Sequence, residues 1–417
     1  MRAPRTWAAL AFLLLLVPLL VAACGGDDDE GGEAAPAGET SAGETSAGED
    51  AGGGEPIVIG AAVDLTNAMA PFDGPAIAAA QIQAGSVNTA GGVGGRELQI
   101  EVVDTQLDPE QTKAAAIDLI EEQGAEILLV TCDVDFATPA VQEAINRGVL
   151  AVSMCIGTDQ MSPKRFGEQG KLAFTVGNAA QDEGAAMAEY AIDQGWTRAA
   201  IAKDNVIVYF QNVVDAFKAR FEERGGEVVV EESWTNGDGT IGNVAGSLAD
   251  ANVDVIATST AFDDLPALVD GVRSLGSDTP FICSWACDGT YWNPQGLSNF
   301  YLVTYASVAG DDPNQDVKDL IQAMTDQDQV PGTGGFLAGA GTIDALAAAI
   351  EEAGGTDGEA LAEVFEGFQD QPTISGEISY SPELHAVSGR EYRVMQIQDG
   401  QLSFIELRAA SSPVDIG

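Results

Sequence analysis

The sequence predicts an α/β protein with two parallel β-sheets and helices on both faces of each sheet. From Ile57 onward, short β-branched runs alternate with longer amphipathic segments, which is the order typical of parallel sheets. The chain has 417 residues, and residues 56–417 alone are too long for one domain of typical size. We therefore expect two lobes of ordinary size.

The strands and helices can be placed in order along the chain. IVIGAAV (57–63) is a β-branched strand, and we expect the first helix to begin near Pro75 and to end at the glycines 91–92. LQIEVVD (98–104) is the next strand, and DPEQ (108–111) then supplies an N-cap, a proline at the first helical position and a reciprocal cap. Further strands are expected at EILLVT (126–131), AFTV (173–176), AAIA (199–202), VVVEE (228–232), DVIATS (254–259) and YLVTYAS (301–307).

A weak internal repeat divides these strands between two sheets. One unit runs from the strand ILLVT through Pro139 to Cys155, and the other from DVIATS through Pro266 to Cys283. Each unit has a strand, a loop, a helix that starts with proline, a glycine stop and a second strand. Coincidence among βαβ units is the alternative, but the matched order favours two similar lobes that face each other.

The amino terminus has the pattern of an export signal. Two arginines precede an apolar run, and VAAC (21–24) places small residues before a cysteine. This arrangement resembles a bacterial lipobox, so we expect a signal peptide over residues 1–23 and a lipidated Cys24. Acyl chains on Cys24 would anchor the protein to the outer side of the cell membrane. An uncleaved membrane-spanning helix is the alternative, although Pro18 fits cleavage better.

Residues 24–55 are expected to form a flexible tether, since 25–55 contain only Gly, Ala, Asp, Glu, Ser, Thr and Pro.

The acidic composition of the chain excludes some classes of partner. The whole chain has 65 acidic against 18 basic residues. Such a surface disfavours nucleic acid, whose binding requires cationic side chains near the phosphates. It would also repel anionic headgroups, so contact with the lipid bilayer is expected through Cys24.

Four further cysteines predict two disulfides. Four cysteines in an exported chain allow three pairings. A zinc site is disfavoured because the chain has one histidine and no CxxC pair, and we predict no metal site. Cys132 and Cys155 follow consecutive strands of one lobe, which predicts one bridge, and Cys283 can reach Cys287 if the loop between them turns back sharply.

The loops that follow the strands predict a cleft for a small molecule. Ligands of open parallel sheets lie beyond the carboxyl ends of the strands. The loops in that position are rich in aromatic residues and aspartates, and aromatic walls with a few polar groups are typical of small-molecule sites. The predicted ligand-binding residues are Phe72, Asp133, Asp135, Phe136, Thr158, Tyr209, Phe262, Asp263, Trp285 and Asp288.

Sequence motifs give no case for an enzyme or for a cofactor. A phosphate-binding glycine loop ending in Gly-Lys-Ser/Thr, a GxSxG elbow and an HExxH helix are all absent from the sequence. GGVGG (91–95) lies between a helix and a strand, the wrong order for a dinucleotide site. A thiol-disulfide enzyme built on Cys283 and Cys287 is an alternative, but CxxxC is not the usual redox spacing.

Several segments resemble branched-chain amino-acid-binding proteins, the solute-binding subunits of ABC importers. They include IVIGAAVDLT, the segment 88–120, INRGVLAVSM, AFTVGNAAQDEGAAMAEYA and EYRVMQIQDGQLSFIEL, and the resemblance covers roughly residues 56–408. It implies the type I periplasmic-binding-protein fold, with two Rossmann-like lobes, three interlobe crossovers and a ligand between the lobes. By that pattern, the first lobe is 56–177 plus 306–372 and the second is 178–305 plus 373–417.

The resemblance also implies a function and an unusual site. A protein of this family would capture a small polar solute, such as an amino acid, and deliver it to an ABC permease with its ATPase. A ligand-sensing lipoprotein with a signalling partner is the alternative. Family members use small hydroxyl residues where this chain has Asp133, which would repel a ligand carboxylate unless protonated. We expect Asp133 to bind a donor-rich or cationic group; capping the following helix is the alternative role.

Overall fold

A five-stranded parallel sheet organises the first lobe of the computed structural model, which describes residues 54–289, 291–292 and 295–416. The predicted signal peptide, Cys24 and nearly all of the predicted tether lie outside the described residues. The strand order is β2-β1-β3-β4-β5. The strands are β1 (Ile57–Val63), β2 (Leu98–Asp104), β3 (Ile127–Val130), β4 (Leu150–Ser153) and β5 (Ala173–Thr175).

Helices cover both faces of this sheet. The second of them begins as predicted, because the Asp108 carboxylate accepts the N–H of Gln111 at 2.9 Å. The predicted start of the first helix at Pro75 was wrong. That helix begins at Ala70, since the buried Asp64 carboxylate accepts the N–H of Met69 and fixes the chain just before it. The helices are α1 (Ala70–Thr89), α2 (Pro109–Glu121), α3 (Val134–Asn146) and the short α4 (Pro163–Phe166).

A seven-stranded sheet organises the second lobe. Its order is β14-β13-β10-β9-β8-β6-β7, and the five strands from β10 to β7 are parallel. The strands are β6 (Arg198–Asp204), β7 (Glu227–Trp234), β8 (Val255–Ser259), β9 (Phe281–Cys283), β10 (Phe300–Thr304), β13 (Tyr392–Gln398) and β14 (Gln401–Arg408). The helices around it are α5 (Ala180–Asp193), α6 (Val208–Glu223), α7 (Ile241–Asp250) and α8 (Asp264–Ser274).

The two sheets repeat one topology. The order β2-β1-β3-β4-β5 of the first lobe corresponds to β7-β6-β8-β9-β10 of the second. The units β3-α3-β4 and β8-α8-β9 occupy matching places, which confirms the repeat predicted from the sequence. The direction in which successive strands are added reverses between β1 and β3 in the first sheet and between β6 and β8 in the second. Ligands of such sheets bind at the carboxyl ends of the strands where this reversal occurs.

An antiparallel hairpin, β13 with β14, extends the second sheet and was missed by the all-parallel prediction. Gln398 pairs with Gln401, so only Asp399 and Gly400 form the turn. Both residues have positive φ, at 53° and 75°. Asp-Gly between alternating apolar residues is a strong hairpin signal, so the sequence did contain the information.

The chain crosses between the lobes three times, after β5, after β10 and before β13. After the second crossing, three helices and a short hairpin complete the first lobe. The three helices are α9 (Gln315–Thr325), α10 (Phe336–Ala353) and α11 (Gly358–Gly367), and the hairpin consists of β11 (Gln371–Thr373) and β12 (Gly376–Ile378). The second of these helices, α10, packs on α1. The predicted fold class is confirmed.

Arg390 joins the three crossings. Its guanidinium donates to the Val176 carbonyl of the first crossing at 2.7 Å and to Ser375 Oγ, just ahead of the third, at 2.8 Å. It also lies over the ring of Tyr305 in the second, 5.3 Å from the centroid. The first and third crossings pair directly, through a bridge between Asn178 and Val387. The lobes are thus held at one shared hinge.

Candidate functional site

The loops at the carboxyl ends of both sheets meet at one small cavity of about 20 Å³. This volume is about that needed by one water molecule, so the two lobes are nearly in contact here. Residues that follow β1 and β3 form one side, and residues that follow β6, β8 and β9 form the other. The lining residues are Met69, Phe72, Cys132, Asp133, Ile207, Tyr209, Phe210, Ala261, Phe262, Trp285 and Ala286.

A larger groove of about 760 Å³ lies elsewhere, beside the lobe crossings. It is lined by residues such as Asn314, Ser375 and Arg390 and carries charges of both signs. The carboxyl ends of the parallel strands do not reach it. We therefore place the candidate site in the smaller cavity, where loops at the carboxyl ends of the parallel strands of both sheets meet.

Aromatic rings form the walls of the cavity. Phe72 of the first lobe meets Trp285 of the second edge to face, with ring centroids 5.2 Å apart. Tyr209 lies 6.2 Å from Trp285, and Phe210 lies 6.0 Å from Phe262. Phe262 has a φ of 58°, a strained value for a bulky side chain that local packing must hold in place.

Asp133 is the carboxylate of the cavity and the N-cap of α3. One of its oxygens accepts the N–H of Asp135 at 2.9 Å and that of Phe136 at 3.4 Å. Asp133 is only 2% exposed. Burial, with the nearby charge of Asp135, raises the pKa of Asp133 to about 7. Both roles considered from the sequence are therefore compatible with its position, since it caps the helix and faces the cavity.

Five of the ten predicted ligand-binding residues line the cavity: Phe72, Asp133, Tyr209, Phe262 and Trp285. The other five do not line it. Asp263 is exposed ahead of α8, and Phe136 packs partly buried against the core. A ligand-binding role for any of the ten stays a prediction.

Two of the other predicted residues join the lobes. The Asp135 carboxylate accepts the N–H of Val208 at 3.0 Å and pairs with Arg165 at 2.8 Å. Thr158 Oγ1 accepts a hydrogen bond from the Asn212 side chain at 3.1 Å. These contacts lie beside the cavity and hold the two lobes together in this conformation.

Asp288 also connects the lobes. One carboxylate oxygen accepts the hydroxyl of Thr304 and the N–H of Gly334, each at 2.6 Å. Burial raises the pKa of Asp288 to about 6. Its hydrogen bonds fix the loop after β9 to the segment before α10, so its contacts in this structure are structural.

Glu183 supports two walls of the cavity and was missed from the sequence. It is fully buried in α5, where one oxygen accepts the N–H of Trp285 and the other the hydroxyl of Tyr209, both at 2.7 Å. Burial raises the pKa of Glu183 to about 8. In the sequence it stands within a helix rich in acids, where the default interpretation is a solvated face.

Asp73 was also missed and ties two strand ends together. Its carboxylate accepts the N–H of Asp64 after β1, and the hydroxyl of Thr131 and N–H of Cys132 after β3. The side chain is fully buried, and burial raises its pKa to about 7. Asp73 therefore fixes the first-lobe side of the cavity.

Both predicted disulfides are present. Cys132 pairs with Cys155 at the ends of the neighbouring strands β3 and β4, with Cα atoms 4.9 Å apart. Cys283 pairs with Cys287 because a single 3₁₀ turn, Trp285–Cys287, brings the loop back. Each bridge stiffens a loop that supplies cavity residues. Over the described residues, no cluster of His, Cys, Asp or Glu could hold a metal ion, and no helix could span a bilayer.

Buried carboxyls give the stability a pH dependence. Burial raises the pKa values of Asp73, Asp133, Asp182, Glu183 and Asp288 to between about 6 and about 8. In the unfolded chain these carboxyls have pKa values near 4, so between about pH 4 and the folded pKa values they are protonated in the folded protein and ionised in the unfolded chain. Their stabilising contribution is therefore complete below about pH 4 and is lost as the pH rises through the folded pKa values.

We expect a higher melting temperature at about pH 5.5 than at about pH 8. Below about pH 4 the melting temperature should fall again, since hydrogen bonds from Thr240 lower the pKa of Asp238 and those from Thr197 lower the pKa of Asp254. Calorimetry at constant ionic strength measures both trends. A melting temperature that rises from about pH 5.5 to about pH 8 would show that burial of these carboxyls does not control stability.

Comparison with known proteins assigns the family. A sequence model of the family described as periplasmic binding protein matches residues 56–401. The chain belongs to this family. Its members are binding proteins. The two-lobed fold with a cavity between the strand ends is accordingly that of a periplasmic binding protein.

Relatives and solved structures agree with this assignment. The periplasmic binding protein is 24% identical over 321 residues to Leu/Ile/Val-binding protein homolog 1 of Brucella abortus (strain 2308), covering 74% of this chain and 84% of that one. It is similar to the substrate-binding protein LivJ of Streptococcus pneumoniae in complex with isoleucine (TM-score 0.73, 17% identity, 85% and 99% of the two chains). It is also similar to an R. palustris solute-binding protein in complex with benzoate (TM-score 0.70, 17% identity, 86% and 97%).

Proposed function

We propose that this periplasmic binding protein is the extracytoplasmic solute-binding subunit of an ABC importer. It captures a small solute between its lobes and delivers it to a membrane permease with an ATPase. The observation that carries the proposal is the convergence of strand-end loops from both sheets on one aromatic-walled cavity. Hinged lobes of this kind close around a ligand and open to release it.

The same proposal includes a lipid anchor on Cys24 and a flexible tether that follows it. The tether would let the lobes reach the permease while the acyl chains stay in the membrane. Replacement of Cys24 by serine should move the protein from the membrane fraction to the soluble fraction and abolish labelling by radioactive palmitate. Unchanged membrane attachment of the Cys24→Ser variant would rule out this anchor.

The close approach of the two lobes in this conformation depends on a glycine at position 157. A Cβ atom on Gly157 of the first lobe would lie 2.5 Å from the Tyr209 ring of the second lobe. This ring cannot easily move, because it is buried and its hydroxyl is held by Glu183. Gly157→Val should therefore hold the lobes apart and impair transport by at least tenfold, an effect of about 1.4 kcal/mol on the closed state. Gly85→Ala, at an exposed helical glycine with no neighbour within 4 Å, is the matched control.

Depletion of solutes from a defined mixture by the native host tests the proposal. A strain without the gene should leave at least one solute in the medium, and the wild-type gene and Gly85→Ala should restore its uptake. Gly157→Val should not. If every solute is taken up normally in the absence of the gene while gene expression changes instead, the protein is a sensor and the transport proposal is wrong.

A further inference from the structure

The cavity combines one carboxylate with aromatic walls. Among the described residues that line it, Asp133 is the only carboxylate, and there is no lysine, arginine or histidine. The charge of Arg165 acts on Asp133, but Arg165 is paired with Asp135 at 2.8 Å and does not line the cavity. Behind the wall, Glu183 adds a second buried carboxyl. The surroundings are therefore acidic and apolar.

A ligand carboxylate would lack its usual partner here. The N–H groups at the start of a helix are a common site for anions. In α3 the N–H groups of Asp135 and Phe136 already donate to the carboxylate of Asp133. An anionic ligand at this point would find these donors already taken, and an ionised Asp133 would repel it, so the protein's own side chain occupies the place of a ligand anion.

Asp133 keeps one oxygen for a donor. Both of its hydrogen bonds end on the same oxygen, Oδ1, and the second oxygen has no hydrogen-bond partner among the described residues. The side chain is 98% buried, and what remains exposed borders the cavity. Trp285 Nε1 is a buried donor without a partner in the described part of the chain, and it can donate a hydrogen bond to a neutral oxygen of a ligand.

The aromatic rings suit a cation. The faces of Trp, Tyr and Phe attract an ammonium group within about 6 Å, more strongly when water is excluded. Phe72, Tyr209, Phe262 and Trp285 all line the same cavity as Asp133. A carboxylate oxygen and several rings at one site between the lobes are complementary to a positively charged nitrogen with an apolar body, and the lobes move apart from the conformation described here to admit it.

We propose that the ligand is a small organic ammonium compound, whose nitrogen lies against Asp133 and whose apolar body lies between the aromatic rings. The proposal rests on the proposed function, because it assigns the charge class of the captured solute. It excludes simple carboxylates, and it places the recognition of the charge on the first lobe and the apolar contacts mainly on the second.

Ligands that share one body and differ in the head group test this. We would titrate the full-length protein by calorimetry with 2-phenylethylamine, phenylacetate and 2-phenylethanol, and with 3-methylbutylamine, 3-methylbutanoate and 3-methylbutanol. The amine of at least one set should bind at least tenfold more tightly than its alcohol, and the carboxylates should bind most weakly. Asp133→Asn should weaken amine binding by about ten- to a hundredfold and leave the alcohol unchanged, because only the charge is removed.

Asp108→Asn is the matched control. It makes the same substitution at another helix N-cap of the first lobe, one that does not line the cavity, and should leave amine binding unchanged. Equal losses for amine and alcohol in Asp133→Asn would mean a structural role and overturn the proposal. Tighter binding of a carboxylate than of its amine would overturn it while leaving solute binding intact. Failure of all six compounds to bind would overturn it and would also count against the proposed function.

Discussion

Replacement of Asp73 by alanine is expected to lower the melting temperature by about 5 °C or more, corresponding to about 3 kcal/mol. The reason is that the buried carboxylate accepts three hydrogen bonds that join the ends of β1 and β3. Without it, the N–H groups of Asp64 and Cys132 would stay buried without an acceptor. Calorimetry of the purified variant gives the melting temperature directly.

The control for this prediction is Asp118→Ala. Asp118 is an exposed aspartate near the end of α2, and an exposed substitution of this kind should change stability by about 0.5 kcal/mol at most. The melting temperature of Asp73→Asn should lie between those of the two alanine variants, because asparagine keeps the shape of the side chain and one acceptor oxygen. If Asp73→Ala and Asp118→Ala melt at the same temperature, the hydrogen bonds of Asp73 do not stabilise the first lobe.

Replacement of Gly339 by alanine is expected to cost about 3 kcal/mol through overpacking. A Cβ atom at this position of α10 would lie 1.9 Å from the backbone oxygen of Ala76 in α1. Backbone atoms cannot rotate away, so α1 and α10 would have to separate. Guanidinium denaturation of wild type and variant measures the loss of stability.

Gly246→Ala is the comparison for this second prediction. Gly246 lies inside α7, where an added Cβ atom would have open space around it, so alanine there should stabilise by about 0.5–1 kcal/mol. A glycine-to-alanine substitution should therefore lower the free energy of unfolding in α10 and raise it in α7. A stable Gly339→Ala variant would show that α1 and α10 can separate without cost, contrary to the close packing in the structure.

The fold could be predicted because it depends on local patterns. Alternating β-branched and amphipathic runs indicated the order of elements, and strand adjacency within one lobe indicated the Cys132–Cys155 bridge. The start of α1 was wrong because Pro75 is tolerated inside the helix, while Asp64 fixes the chain before it. The hairpin at Asp399 was missed although its turn signal was readable.

The site could be predicted only in part. Its aromatic walls were found because rings in strand-end loops are conspicuous in the sequence. Glu183 and Asp73 were not, since both lie inside helices and reach the cavity walls only through the packing of helices on the sheets. Phe210 and the small lining residues, such as Ala261, have no chemical signal that separates them from the core.

Capture of a small molecule in the cleft can be tested by affinity selection from a mixture. Wild type and Gly157→Val would be equilibrated with one cell extract, washed by ultrafiltration and denatured, and the released compounds identified by mass spectrometry in both ion modes. We expect wild type to release at least one ammonium compound that is depleted at least tenfold from Gly157→Val. Release of the same compounds from both proteins, or of none from wild type, would contradict it.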